Sequence, residues 1–251
     1  MSEFNHILSA RIESTKRLFD TVWFDNLTKS KAQTEIGELS VTFKMPCKSY
    51  SLPSRHCLTG SKLQTVDGSI CQFCYGMSGR YATPTVDNAM SRRFDIRQLM
   101  PGRYWVANFV KALTNEKWFR WFDNGDIQGE KMLLDILTIA HFLPSTRFWI
   151  PTKEYKIAKA HKALVDTFDN VALRVSMPMI NQVTKPSDTK RFGLTSTAFT
   201  DKPGSAFVCP AYSKPEAKCD DCRACWDKSV DVVGYPVHTR QKAKLLQVVG
   251  A

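Results

Sequence analysis

At 251 residues, with 43% hydrophobic and 24% charged residues, the chain has the composition of an ordinary soluble globular protein. It contains no run near the ~18 consecutive apolar residues of a membrane span, and its N-terminal MSEFNHILSARIESTKRLF mixes both charges where a signal peptide would be apolar. These features point to a cytoplasmic protein without membrane association, and the formal net charge of +11, which metal-bound thiolates would lower, suggests either an anionic partner or substrate, nucleic acid among them, or a basic surface serving solubility alone.

Residues 7–33 have helix-like apolar spacing, and ELSVTFKMP (38–46) alternates as a short strand. Residues 47–80, rich in Ser, Gly, Pro and Cys, read as a long functional loop. Helical spacing resumes from Thr85 to Leu113, interrupted at Pro101-Gly102. The middle is the most regular part. WFRWFD (118–123), TRFWIPT (146–152) and NVALRVSMP (170–178) read as strands, separated by helices at KMLLDILTIAHFL (131–143) and YKIAKAHKALVDTF (155–168). This alternation predicts βα units in a parallel sheet, either open or a partial barrel. KRFGLTSTAFTDKPGSAFVC has room for a further strand or two, and the chain ends in the amphipathic TRQKAKLLQVV. The expected organisation is one domain over 1–251. An α/β core at 38–208 carries the 47–80 loop, and a Cys-rich metal-binding segment occupies 209–251.

The eight cysteines fall into two groups of four with none between residues 75 and 208. In a reducing compartment, clustered thiols point to metal or catalytic chemistry rather than disulfides. The late group, Cys209, Cys219, Cys222 and Cys225, has the spacing Cys-x9-Cys-x2-Cys-x2-Cys. Consecutive two-residue gaps suit a [4Fe-4S] cluster better than zinc, which more often takes two separated Cys-x-x-Cys knuckles. The early group offers Cys57, Cys71 and Cys74, with Cys47 upstream. Three thiolates leave one iron open. In radical S-adenosylmethionine enzymes such an iron binds the cofactor, through a tighter Cys-x3-Cys-x2-Cys. The alternatives are a fourth ligand from Cys47 or a histidine, one centre shared by both groups, or a structural zinc.

Several segments resemble the gene product 88-like family of bacteriophage proteins: CLTGSKLQTVDGSICQFCYGMSGRYATPTVDNAMSRRF (57–94), WFRWFDNGDIQGEKMLLDI (118–136), FWIPTKEY (148–155) and the late CPA…KCDDCRACW. The resemblance implies an α/β core with iron–sulfur binding, located in the host cytoplasm. It carries over Cys57, Cys71, Cys74, Cys209, Cys219, Cys222 and Cys225 as the family's cysteines, and Asp123, Gly125 and Asp126 as part of its motif. Asn124 stands where serine is more usual. Cys47 stands where glycine is expected, which argues against an essential ligand. No reaction comes with the resemblance.

Asp123, Asn124, Gly125 and Asp126 follow a predicted strand, and ligands of open α/β sheets bind beyond the carboxyl ends of strands. Radical S-adenosylmethionine folds use an acidic, glycine-containing turn there to hold the cofactor's amino group, whereas the bland role is a helix cap. Thr152, Lys153 and Glu154 close the second strand and Ser176 the third, with Lys153 available to an anionic group. Asp123, Asp126 and Lys153 are the catalytic candidates. His238 is a further candidate ligand, and Arg80, Arg92, Arg93, Arg97 and Arg103 form either a nucleic-acid surface or a solvated helix face. No phosphate loop, dinucleotide fingerprint or hydrolase motif is present.

The expectation is therefore an iron–sulfur protein related to a reduced radical S-adenosylmethionine enzyme, supplied with electrons by a flavodoxin or ferredoxin. Its rivals are an electron-transfer protein with a fully Cys-bound cluster, and a zinc- or cluster-stapled nucleic-acid-binding module.

Overall fold

The computed structural model describes residues 3–201 and 203–237. His238 and the amphipathic tail lie outside the described residues. The segment read as one helical stretch is three helices, α1 (Glu3–Phe19), α2 (Val22–Asp25) and α3 (Lys29–Glu35). Thr21 and Thr28 break it, because each accepts a backbone N–H at the start of a new helix, from Phe24 and Lys31 respectively. The expected 38–46 strand shrinks to β1 (Ser40–Val41). The 47–80 loop contains β2 (Lys48–Tyr50) and α4 (Leu58–Leu63). After α5 (Pro84–Leu99) and α6 (Gly102–Ala112), the βα rhythm follows as expected: β3 (Trp118–Trp121), α7 (Glu130–Phe142), β4 (Arg147–Thr152), α8 (Tyr155–Asp166) and β5 (Val171–Ile180). The chain continues with α9 (Pro186–Phe192), β6 (Thr195–Phe199), β7 (Phe207–Val208) and β8 (Val232–Pro236).

Among the described residues, eight strands form one open sheet in the order β1-β2-β3-β4-β5-β6-β8-β7, parallel except for β1. β1 and β7 are its edges. From β2 to β6 each new strand is laid beside the last, so right-handed crossovers put the connecting helices on one face. On that face Phe119, Trp121, Phe148, Ile150, Leu173 and Val175 pack with Trp105 and Phe109 of α6 and with α7 in the main core. The opposite, inner face carries Trp118, Arg120, Trp149 and Arg174. It is covered by the Cys-rich segment, whose Ala224, Cys225 and Trp226 form a second apolar cluster with Trp149 and Val233. β8 comes from the C-terminal segment, yet it is an interior strand between β6 and β7.

Candidate metal and ligand site at the carboxyl rim

The DNGD turn follows β3 at the carboxyl rim of the sheet. Phe122 (φ 51°) and Gly125 (φ 83°) bend the chain sharply there. A Cβ on Gly125 would stand 2.6 Å from the Leu52 carbonyl oxygen, so only glycine fits. All three polar side chains of the turn are buried. Asp123 accepts hydrogen bonds from the Ser51 hydroxyl and, at 3.0 Å, from the Tyr81 hydroxyl. Asn124 accepts from Ser54 and lies against Gly76, where a Cβ would overlap its oxygen. Asp126 accepts from the Ile127 amide (2.7 Å), the Thr152 hydroxyl (2.6 Å) and the Lys153 amide (2.7 Å), tying the end of β3 to the end of β4. Burial pushes its carboxyl up to about 6 against these three donors.

The early cysteine loop lies across this rim. Cys57 stands at the start of α4, where both Glu154 carboxylate oxygens accept from Thr59, at 2.8 Å from its amide and 2.7 Å from its hydroxyl. Farther along, the loop pairs with the overhanging end of β5. The Ile70 amide donates to the Pro178 carbonyl (2.9 Å) and the Ile180 amide to the Gly68 carbonyl (3.0 Å). The Tyr75 hydroxyl donates to the Asp123 carbonyl at 2.6 Å, which fixes the turn after Cys74. The Cys57 and Cys71 sulfurs each lie 3.7 Å from the point that a Gly60 Cβ would occupy. Burial raises both thiols, and each is raised further by the charges of Cys74 and Asp126 and lowered by Lys153.

The late cysteines gather separately. Cys209 follows β7 and its amide donates to Gly234 (2.9 Å), while the Cys219 amide donates to Lys44 (2.9 Å) in the turn between β1 and β2. The segment therefore reaches from one edge of the open sheet to the other. Arg174 pins it to the inner face. This fully buried guanidinium donates to the carbonyls of Cys225 (2.9 Å), Val230 (2.7 Å), Ala224 (2.8 Å) and Asp227 (2.6 Å). Trp226 donates to the Phe119 carbonyl (2.9 Å), and the Cys225 sulfur lies 3.1 Å from the Tyr235 hydroxyl. Burial raises the Cys209 and Cys219 thiols and takes Cys225 to about 12. Cys47 belongs with this group. It packs in the same apolar cluster as Cys222 and Cys225, and burial pushes it to about 12, with Cys219 among the charges acting on it.

Among the described residues, no three or more His, Cys, Asp or Glu side chains form a ready single-ion site. The candidate ligands of both groups are thiols, with the Asp126 carboxylate close enough to act on Cys57 and Cys71. Ser176 lies inside β5, which runs on to Ile180, and is not at a strand end as the sequence suggested. Its hydroxyl accepts from Ser196 at 3.1 Å. The arginine patch does not hold together. Arg93 turns inward to the Gly37 and Glu38 carbonyls, and Arg97 to the buried Asp135. Arg120, Arg174 and Tyr235 are site residues that the sequence reading missed. An arginine inside a buried strand was the one legible sign of two of them.

The model of the gene product 88 family matches residues 18–228, and the chain belongs to that family. No functionally curated protein and no solved structure matches it. Among the described residues, no helix is long and apolar enough to cross a membrane.

Proposed function

We propose that this member of the gene product 88 family is an iron–sulfur protein with two separate centres. A closed centre is held by Cys209, Cys219, Cys222 and Cys225, and an open one by Cys57, Cys71 and Cys74. The observation that carries this reading is the allegiance of Cys47. It packs with the late group, so the early three keep no fourth thiol from that source. Thiolates are a soft donor set, suited to iron–sulfur clusters.

An iron left open by three cysteines is where S-adenosylmethionine would bind for reductive cleavage, with electrons from a flavodoxin- or ferredoxin-type donor. In this reading Lys153 supplies positive charge beside the early thiols. The side chains of Asp123, Asn124 and Asp126 are occupied with internal hydrogen bonds. They position the cysteine loop by bracing Ser51, Ser54, Tyr81 and the end of β4. The inward turn of Arg93 and Arg97 weakens the nucleic-acid alternative. The test is 5′-deoxyadenosine formation by anaerobically reconstituted protein with S-adenosylmethionine and a strong reductant. Product that vanishes in Cys74→Ser supports the open site. Iron-loaded protein that yields none is an electron carrier instead.

A further inference from the structure

Two arginines share the inner face of the sheet, and they are satisfied very differently. Arg174 on β5 is saturated by main-chain carbonyls from the late cysteine segment. Arg120 on β3 is not. One of its terminal nitrogens donates to the Met45 thioether (3.2 Å), its guanidinium lies 4.3 Å from the centre of the Trp149 ring, and it bonds the Tyr75 hydroxyl. Among the described residues its buried Nε has no hydrogen-bond partner. Among the described residues it makes no ion pair. Asp123, the carboxylate that acts on it, gives its two oxygens to Ser51 and Tyr81.

The strand register adds two more orphans beside it. Ser49 on β2 is paired with Arg120, and Arg120 with Trp149 on β4. The Ser49 hydroxyl and the Trp149 indole nitrogen are also buried with no hydrogen-bond partner among the described residues, and the two residues are 0% and 6% exposed. Three adjacent strands thus present a hydroxyl, a guanidinium N–H and an indole N–H in one row, each without an acceptor. Buried donors are nearly always paired, so a row of three calls for a missing acceptor. The guanidinium supplies the charge and the planar fork that match an oxyanion, and the Trp149 and Tyr235 rings stacked beside it wall the site.

The geometry points to an oxyanion-binding site built on Ser49, Arg120 and Trp149, which takes the carboxylate or phosphate group of a small organic molecule. It lies between the two cysteine groups. Tyr75 directly follows Cys74, and Arg120 acts on Cys47, Cys219 and Cys225. A molecule anchored there is held next to both. The inference does not depend on what metal the cysteines carry, so it stands or falls separately from the proposed function.

The test is isothermal titration calorimetry on the full-length chain with acetate, succinate, inorganic phosphate and adenosine monophosphate, in a buffer without other oxyanions. Saturable binding of one molecule per chain is expected for at least one of them, and the carboxylate and phosphate probes distinguish the two sources. Arg120→Met should weaken that binding about ten- to hundredfold. Arg120→Lys, which keeps the charge but not the fork, guards against a folding defect and should weaken it as well. Arg103→Met removes an exposed charge that stacks on Tyr104 and should leave binding unchanged. Absence of saturable binding with every probe overturns the site, as does equal binding by wild type, Arg120→Met and Arg120→Lys.

Discussion

Arg174→Met tests how the late cysteine segment is held. Methionine has similar reach and removes every donor, leaving four carbonyls of the late segment, now met at 2.6–2.9 Å, and the Thr195 carbonyl, met at 3.5 Å, without it. A buried acceptor left unmade costs about 1–3 kcal/mol, but the four share one loop and will relax together. Methionine also relieves a real burden, because burial already lowers the arginine's pKa. Removing the charge leaves only neutral acceptors behind, so the expected net loss is about 2–4 kcal/mol. Against a usual stability of about 5–15 kcal/mol this is severe. The assay is equilibrium urea denaturation of the metal-free chain, run beside the rate at which Cys225 reacts with a disulfide reagent. Both should change together, because Cys225 is protected by the loop that Arg174 holds. A loss under about 1 kcal/mol with Cys225 still protected would refute this account of the segment.

Gly125→Ala forces a side chain into a left-handed backbone and against the Leu52 carbonyl. It should cost about 2 kcal/mol or more in the urea midpoint, and an unchanged midpoint would show that the DNGD turn is free to move. Asp126 gives a pH signature. Its folded pKa of about 6 lies above the unfolded value of ~3.9, so the folded state binds the proton more tightly. Its stabilising contribution is present below pH ~4 and is lost as pH rises through about 6, for a total near 3 kcal/mol. Wild type should therefore lose stability relative to Asp126→Asn between pH 4 and 7; a pH-independent difference would count against the burial argument.

The central βα units were legible because Trp118–Trp121, Glu130–Phe142, Arg147–Thr152, Tyr155–Asp166 and Val171–Ile180 carry apolar residues at the period of their own elements. β2 and β8 were not. Lys48–Tyr50 is three residues with one apolar member, and Val232–Pro236 contains glycine and proline, so both owe their extended state to the strands beside them. The two cysteine groups could be separated by spacing, but the side that Cys47 joins depends on how the β1–β2 turn folds over the late segment. The DNGD turn was recognisable as a strand-end motif. Its internal hydrogen bonds were hidden, because their donors come from Ser51, Tyr81, Thr152 and Lys153, which are scattered along the chain.

Metal and sulfide analysis of anaerobically prepared full-length protein, with an electron paramagnetic resonance spectrum of the reduced form, tests the two-centre account most directly. The account predicts about eight irons and eight sulfides per chain, falling to about four of each when Cys57, Cys71 and Cys74 are all replaced by serine. Stoichiometric zinc without iron, or an iron count that the triple replacement leaves unchanged, would contradict it.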